Sequence, residues 1–360
     1  MATNNRSMRW DLFCKVVDHH GDVGVGWRLA ADLAARGETV RLYLDDRSAL
    51  RWMAPDGMSG VVVADWTTAD DAAGAPDVVV ETFGCGLPPT YAAGLSRQRP
   101  PVWIDVEYLS AEDYVERSHG LPSPQFEGPA AGLRRWFFYP GFTPRTGGLL
   151  READLAERQR CFDADEWRRA HGLGRDVDRG ERIVSLFCYR NEQLDALLNS
   201  LAGEPTLLLA AAGLASDQVA AALGPNGRRD ALRWAPLPLL TQRDYDHLLW
   251  SCDLNFVRGE DSFVRAQWAG VPFVWQAYHQ SDGVHQRKLE AFLERFLAGP
   301  PTVDDASIRG LFQAWNGLGP WPAELPPAAP WRARCGGWRA ALLAQDDLGS
   351  QLLRFAAERR

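Results

Sequence analysis

The stretch that decides the fold is Asn255-Phe-Val-Arg-Gly-Glu-Asp-Ser-Phe-Val-Arg-Ala-Gln-Trp-Ala-Gly270, which is followed by Val271-Pro-Phe-Val-Trp275. It predicts a short apolar strand, a turn with an arginine and two carboxylates, and a helix that starts near Asp261. The first four amides of a helix lack partners within the helix, and the helix dipole leaves that end partly positive. The segment therefore predicts a site for an anion such as a diphosphate.

Within this turn, Arg258, Ser262 and the helix amides are the candidates to bind the diphosphate. The sequence leaves open two simpler roles: an ion pair between Arg258 and Asp261, and a plain helix cap at Ser262. Glu260 and Asp261 would repel a phosphate, so we expect them to face a sugar, a base or a nucleophile.

Apolar strand-like runs alternate with helical patterns, which predicts repeated βαβ units and parallel sheets. The first helix is marked by Val25, Leu29 and Leu33, which recur every four residues until Gly37 ends the pattern. The apolar runs lie at residues 12–17, 40–44, 61–64, 78–80, 102–104 and 136–139, and again at 183–187, 206–212, 232–234, 254–257 and 273–275. The charged residues between the two groups, 151–182, predict helices that cross between two domains.

The two groups of runs predict an α/β protein of the GT-B type, with two Rossmann-like parallel-sheet domains that face each other across a cleft. We place the domains at residues 1–150 and 151–330, and a proline-rich linker at 320–330 ends the second one. Residues 331–360 are expected to be helical and to complete the first domain by packing back on it.

The composition disfavours several classes of partner. The 360-residue chain has a formal net charge of -8, which argues against non-specific binding to nucleic acids or membrane surfaces. Its six cysteines are scattered without paired spacing, as in the buried thiols of a reducing compartment. Neither a signal peptide nor a long apolar run is visible, so we expect a cytoplasmic protein.

Two aspartates flank a tight turn after the first predicted strand. Asp18 and Asp22 are separated by His19, His20 and Gly21, and a helical pattern begins directly after them. Ligands of open α/β sheets bind at this edge. A carboxylate at this position either caps the helix or acts as a catalytic base, and the residues alone leave both roles open.

Several aromatic-rich phrases resemble, in the same order, the bacterial protein-arginine rhamnosyltransferases that modify elongation factor P. They are residues 103–114, 119–125, 138–143, 146–150, 185–189 and 248–255, together with the turn at 13–24 and the segment 255–270. Such a series is far more specific than a single glycine motif. The family's Asp-Asn-Phe-Gly-Asp loop corresponds to residues 18–22, where this chain has His19 and His20 in place of Asn-Phe.

The resemblance implies that the first domain binds the acceptor. Asp22 is then the proposed general base, and Asp18 supports the loop or contributes to binding. His19, His20 and Gly21 belong to the same loop and are counted among the substrate-binding residues.

The resemblance also implies that the second domain binds the nucleotide sugar, although packing alone would make Phe187 a core residue. The substrate-binding residues assigned to this domain are Phe187, Tyr189, Gln242, Arg258, Gly259, Asp261 and Ser262. Glu260 is assigned to catalysis, where it orients the acceptor guanidinium or stabilises positive charge at the sugar. The sequence does not decide whether Asp22 or Glu260 takes the proton.

The implied reaction is an inverting transfer of L-rhamnose from dTDP-β-L-rhamnose to an arginine of elongation factor P, which activates the factor for translation. No metal and no other cofactor is expected. A guanidinium is protonated and delocalised, so a carboxylate must hold it and accept its proton. The alternatives are a GT-B transferase with another donor or a small-molecule acceptor, and a non-catalytic binder of the factor.

Overall fold

The structure is a computed structural model that describes residues 7–17, 20–71, 76–95, 99–176, 178–279, 283–299 and 304–360. The chain divides into two compact units. The first comprises Met1–Leu155 and Gln345–Arg360, and the second comprises Ala156–Ala344. Each unit contains a mostly parallel sheet, which confirms the predicted α/β class.

The first unit is built on a seven-stranded sheet. Its strands are β1 (Arg9–Cys14), β2 (Thr39–Leu44), β3 (Val61–Asp65), β4 (Val78–Thr82), β5 (Val102–Val106), β6 (Pro122–Pro124) and β7 (Arg134–Phe138). Its helices are α1 (Gly21–Ala35), α2 (Leu50–Met53), α3 (Pro89–Gly94) and α4 (Asp113–Ser118), with a 3₁₀ helix at Trp66–Asp71. The strand order is β3-β2-β1-β4-β5-β7-β6, and only β6 pairs antiparallel.

The first strand lies earlier in the chain than its apolar run predicted. The strand starts at Arg9 and ends at Cys14, so the prediction of a strand through residue 17 is wrong. Side chains, rather than a neighbouring strand, accept the amides of the following residues. Val16 donates to Asp45 Oδ1 at 2.9 Å and Val17 to Asp22 Oδ2 at 2.8 Å. The chain therefore leaves the sheet before the aspartate loop begins.

The second unit is built on a six-stranded sheet. Its strands are β8 (Arg182–Leu186), β9 (Thr206–Ala210), β10 (Arg228–Arg229), β11 (Leu232–Pro236), β12 (Leu254–Arg258) and β13 (Phe273–Gln276). Its helices are α5 (Leu155–Arg160), α6 (Ala164–Ala170), α7 (Leu194–Ala202), α8 (Leu214–Leu223), α9 (Gln242–Ser251), α10 (Asp261–Ala269), α11 (Val284–Phe296), α12 (Asp305–Trp315) and α13 (Ala328–Leu343), with a 3₁₀ helix at Gly224–Asn226. The order is β10-β11-β9-β8-β12-β13, and only β10 pairs antiparallel.

Three interior strands of the two sheets, β4, β5 and β9, are buried along their whole length. Parallel strands covered on both faces require apolar residues at nearly every position, so their sequences read as continuous runs of valine and leucine. Among the described residues, no helix has both the length and the apolar character needed to cross a membrane.

The end of the chain differs from the expected single helical segment at 331–360. It forms two helices, α13 in the second unit and α14 (Leu348–Arg359) in the first. Asp347 caps α14 by accepting the amide of Ser350 at 2.8 Å, which gives the last helix its own start. Only Gln345–Arg360 thus returns to the first unit.

An ionic cluster and a close backbone approach hold α14 against α1. Arg36 contacts Asp32 at 2.8 Å, Asp347 at 2.7 Å and the Ser350 hydroxyl at 2.7 Å. Burial nevertheless raises the pKa of Asp32 to about 6. A Cβ added to Gly349 would lie 2.0 Å from Asp32 Oδ2, so the two helices approach this closely only because residue 349 is glycine.

We expect Gly349→Ala to lower the free energy of unfolding by about 1–3 kcal/mol, because the new methyl group overlaps a buried carboxylate. Urea and thermal unfolding of the full chain would measure this loss. Gly337→Ala in α13 is the matched control, since a Cβ there meets no atom within 4 Å. The control should be neutral or stabilising by up to about 1 kcal/mol. Equal stability of Gly349→Ala and the unmodified chain would contradict the close approach.

Candidate active site

The site in the second unit begins at the turn between β12 and α10. Gly259 adopts a φ of 62°, and α10 starts at Asp261, which confirms the predicted helix start. The turn is fixed from outside, because the Trp275 indole donates to the Gly259 carbonyl at 2.8 Å. Glu260 occupies the N-cap position without a side-chain capping bond, so its carboxylate is not used to cap α10.

Ser262 ties the end of β12 to the start of α10. Its buried hydroxyl accepts the amide of Arg258 at 3.1 Å and donates to the Arg258 carbonyl. Ser262 therefore does more than cap α10, and its hydroxyl does not point into solvent. A hydroxyl has one proton and two lone pairs, so one lone pair is left after these two bonds.

Arg258 lies between two aromatic rings. The central carbon of its guanidinium is 4.4 Å from the ring centroid of Phe187 and 4.2 Å from that of Tyr189. The alternative ion pair with Asp261 is absent from the described contacts, since Asp261 pairs with Arg265 at 3.0 Å. The structure therefore brings together three of the predicted substrate-binding residues.

Phe187 and Tyr189 directly follow β8, and the backbone fixes both positions. The Phe187 amide donates to the Phe256 carbonyl at 2.9 Å, and the Tyr189 amide donates to Gln276 Oε1 at 2.9 Å. Both side chains are half-buried rather than enclosed in the core. Their rings can thus contact Arg258 and still remain partly exposed at the edge of the sheet.

Helix α9 adds a residue that the sequence patterns did not single out. Gln242 is the first residue of α9, as expected, and Tyr245 lies one turn later on the same side. The Tyr245 ring packs edge-on to Phe187 at 6.0 Å. Its buried hydroxyl lies near Ser262 and makes no hydrogen bond of normal geometry among the described residues, and burial raises its pKa.

A buried ionic network connects α9 with the start of α10. Arg265 pairs with Asp246 at 2.7 Å as well as with Asp261, and Asp246 also pairs with Arg158 at 3.0 Å. Arg265 and Asp246 are almost fully buried. Since buried charges are costly unless paired, this network strongly constrains where Asp261 can lie.

In the first unit, Asp22 is the second residue of α1, and the N-cap position belongs to His20. Asp22 is 3% exposed, and its Oδ2 accepts the Val17 amide. The exposed ring of His20 packs edge-on to Trp52 at 5.1 Å. Asp18 and His19 lie outside the described residues.

The same edge of the first sheet has a feature that the sequence analysis missed. Phe83, which follows β4, has a φ of 60° and stacks on Tyr108 at 4.2 Å. A positive φ is unfavourable for a bulky residue, so the surrounding structure must impose it. On the neighbouring strands, Arg135 pairs with Glu81 and Asp105, and burial raises the pKa of Asp105 to about 7.

The described residues contain no group of three or more His, Cys, Asp or Glu side chains placed as metal ligands. The rings of His279 and His285 lie with their centroids 4.5 Å apart, but these two side chains do not belong to such a group. Independence from metals stays a prediction.

Both sheets end in loops that carry polar and aromatic side chains, as in nucleotide-sugar transferases of the GT-B type. The solved structure of CalG4, the calicheamicin glycosyltransferase, superposes with a TM-score of 0.54 at 15% identity and covers 98% of this chain and 99% of its own. This likeness shows the fold, and the architecture of the protein is of the GT-B type.

Comparison at the level of sequence identifies the family. The family model of the elongation factor P (EF-P) rhamnosyltransferase EarP matches residues 10–357. The protein-arginine rhamnosyltransferase of Pseudomonas aeruginosa is 43% identical over 97% of this chain and 99% of its own length. That of Neisseria meningitidis serogroup B is 36% identical over 96% of both. The chain belongs to the EarP family of EF-P rhamnosyltransferases.

A solved structure of the same family agrees. It concerns EarP-mediated arginine glycosylation of translation elongation factor EF-P, and it superposes with a TM-score of 0.68 at 32% identity. The superposition covers 98% of this chain and all of that one. The resemblance inferred from the sequence phrases is confirmed, whereas the roles of the individual site residues stay predictions.

We expect Arg258→Lys to weaken the binding of dTDP, used as a probe, by about tenfold, which corresponds to about 1.4 kcal/mol. Lysine keeps the charge, but its compact ammonium lacks the planar, delocalised surface with which a guanidinium contacts two rings. Isothermal titration would measure the affinity. Arg228→Lys on the edge strand β10 is the matched control and should bind dTDP like the unmodified chain. Equal affinity of both variants would show that stacking is unimportant for binding.

Proposed function

We propose that this chain transfers L-rhamnose from dTDP-β-L-rhamnose to one arginine side chain of elongation factor P, with inversion at the sugar. The observation that carries the proposal is the family match along residues 10–357. The stacked arginine and the helix start at Asp261 support it, because both suit a diphosphate leaving group. The choice of a thymidine nucleotide in the donor rests on the sequence segments that resemble the family.

In the proposed donor site, the second unit stabilises the charge that develops on the departing dTDP. Arg258 supplies a full positive charge, and the first amides of α10 supply partial charges and hydrogen-bond donors. The network through Arg265 and Asp246 holds the start of α10 in place. These groups are positioned before the reaction and need little reorganisation when the sugar–phosphate bond breaks.

In the proposed acceptor site, Asp22 holds the arginine guanidinium and acts as the base. A guanidinium nitrogen attacks the anomeric carbon, the carbon–oxygen bond to the diphosphate breaks, and the nitrogen loses a proton to the carboxylate. One displacement of this kind converts the β-linked donor into an α-linked product. Glu260 is proposed to orient the guanidinium or to stabilise positive charge at the sugar. The reaction passes through no covalent intermediate between sugar and enzyme.

Incubation of the full chain with elongation factor P and dTDP-β-L-rhamnose tests the proposal. We expect the factor to gain the mass of one deoxyhexose on a single arginine-containing peptide, detected by mass spectrometry. NMR of the product should report an α-linkage. Transfer from UDP- or GDP-linked sugars but not from dTDP-rhamnose would overturn the donor assignment. Rhamnosylation of a small molecule in place of the factor would overturn the acceptor assignment.

We expect Asp22→Asn to reduce transfer by at least a hundredfold and to leave dTDP affinity within about twofold, because an amide cannot take the proton. Turnover and titration with dTDP would separate the two effects. Asp45→Asn, at the exposed carboxylate that accepts the Val16 amide, is a control for the structure of the same loop. It should keep most of the activity. Loss of dTDP binding together with activity in Asp22→Asn would show a structural role instead.

A further inference from the structure

A surface groove of about 430 Å³ lies in the first unit. Trp27 of α1, Leu50 of α2 and Met58 form part of its apolar lining, and Val61 and Val63 of β3 complete it. Strand β3 is an edge of the sheet, so one wall of the groove consists of a valine-rich edge. An apolar recess beside an open sheet edge is typical of a surface that binds another protein.

Two cations border this groove. Arg47 and Arg51 both line it and are exposed, and neither forms an ion pair within the described part of the chain. Other arginines of this unit behave differently. Arg41, for example, is paired with Asp11 at 2.6 Å. The groove therefore combines apolar contact area with two exposed arginines, of which Arg47 also interacts electrostatically with Asp65.

The groove lies beside the loop of the proposed base. Arg47 follows the carboxyl end of β2, which pairs with β1, the strand that leads into the aspartate loop. Trp52, in the same short helix as Arg51, contacts the ring of His20. A protein bound in the groove would thus lie close to the residues that precede Asp22.

We propose that this Arg47–Arg51 groove docks an acidic segment of the acceptor protein, with an apolar side chain in the recess and carboxylates against the two arginines. The inference rests on the proposed function, since the acceptor is taken to be elongation factor P. It adds a binding surface for the body of the acceptor, separate from the groups that act on its arginine.

The charge of the chain explains why a local contact is needed. With a net charge of -8, the chain provides no long-range attraction for an acidic segment. At physiological ionic strength the screening length is about 8 Å, so charges act mainly on groups that are nearly in contact. Two arginines at the rim of an apolar groove then attract carboxylates locally, whereas the bulk charge is screened.

The test is a charge reversal at both positions, R47E together with R51E, in the full chain. We expect KM for elongation factor P to rise at least tenfold, while kcat at saturation and dTDP affinity stay within about twofold. The dissociation constant of the factor, measured without donor, should rise by a similar factor. Added salt should weaken binding of the factor to the unmodified chain more than to the variant.

A second double variant, R117E with R134E, is the matched control. It changes the net charge equally, at α4 and at β7, and β7 lies toward the opposite edge of the sheet from β3. Its KM should stay within about threefold of the unmodified enzyme. An equal rise of KM in both double variants would overturn the docking proposal and indicate an effect of the overall charge. R47K with R51K should bind the factor almost normally, and failure to do so would contradict an electrostatic role.

Further outcomes separate this inference from the proposed function. If the unmodified chain transfers rhamnose to the factor but R47E with R51E keeps its KM, only the docking inference fails. If the unmodified chain modifies no factor at all, the proposed function fails first. If light scattering shows that the unmodified chain dimerises and the R47E with R51E variant does not, the groove binds a second copy of the chain and the proposal is wrong.

Discussion

The stacking of Arg258 between Phe187 and Tyr189 is the interaction on which the proposed donor site depends. It is possible because β8 and β12 are adjacent and parallel, so that the residues at their carboxyl ends meet at one edge of the sheet. A cation between two rings contributes about 0.5–2 kcal/mol per contact, depending on how much water is excluded. The two rings therefore hold the guanidinium at the sheet edge before any ligand binds.

Charge pairing positions the helices around this arginine. Arg265 and Asp246 are buried and paired, so a shift of α9 against α10 would leave a charge without its partner. A different cluster acts in the first unit, where Arg36 joins α1 to α14. In both units the helices that carry or neighbour the candidate residues are thus held by ion pairs as well as by apolar packing.

The sequence predicted the features that depend on local pattern. Continuous valine and leucine runs marked the buried parallel strands, and the α1 pattern ended at Gly37, which has a positive φ. The sequence did not predict the antiparallel edge strand Pro122–Pro124, because proline disfavours strands except at edges. Nor did it predict the pair of Arg265 with Asp246, since residues 19 positions apart meet only through the packing of two helices. The strained Phe83 likewise depends on its surroundings and has no signal in the local pattern.

The return of Gln345–Arg360 to the first unit has a consequence for biosynthesis. On the ribosome, about 190 residues of the second unit are made between the two parts of the first. At 5–20 residues per second this interval lasts roughly 10–40 s. Throughout that time the apolar face that Leu352 and Phe355 later cover is exposed to chaperones and to other nascent chains. The second unit is continuous in sequence, so it can fold before α14 of the first unit has been synthesised. The unit that begins first on the ribosome is therefore completed last.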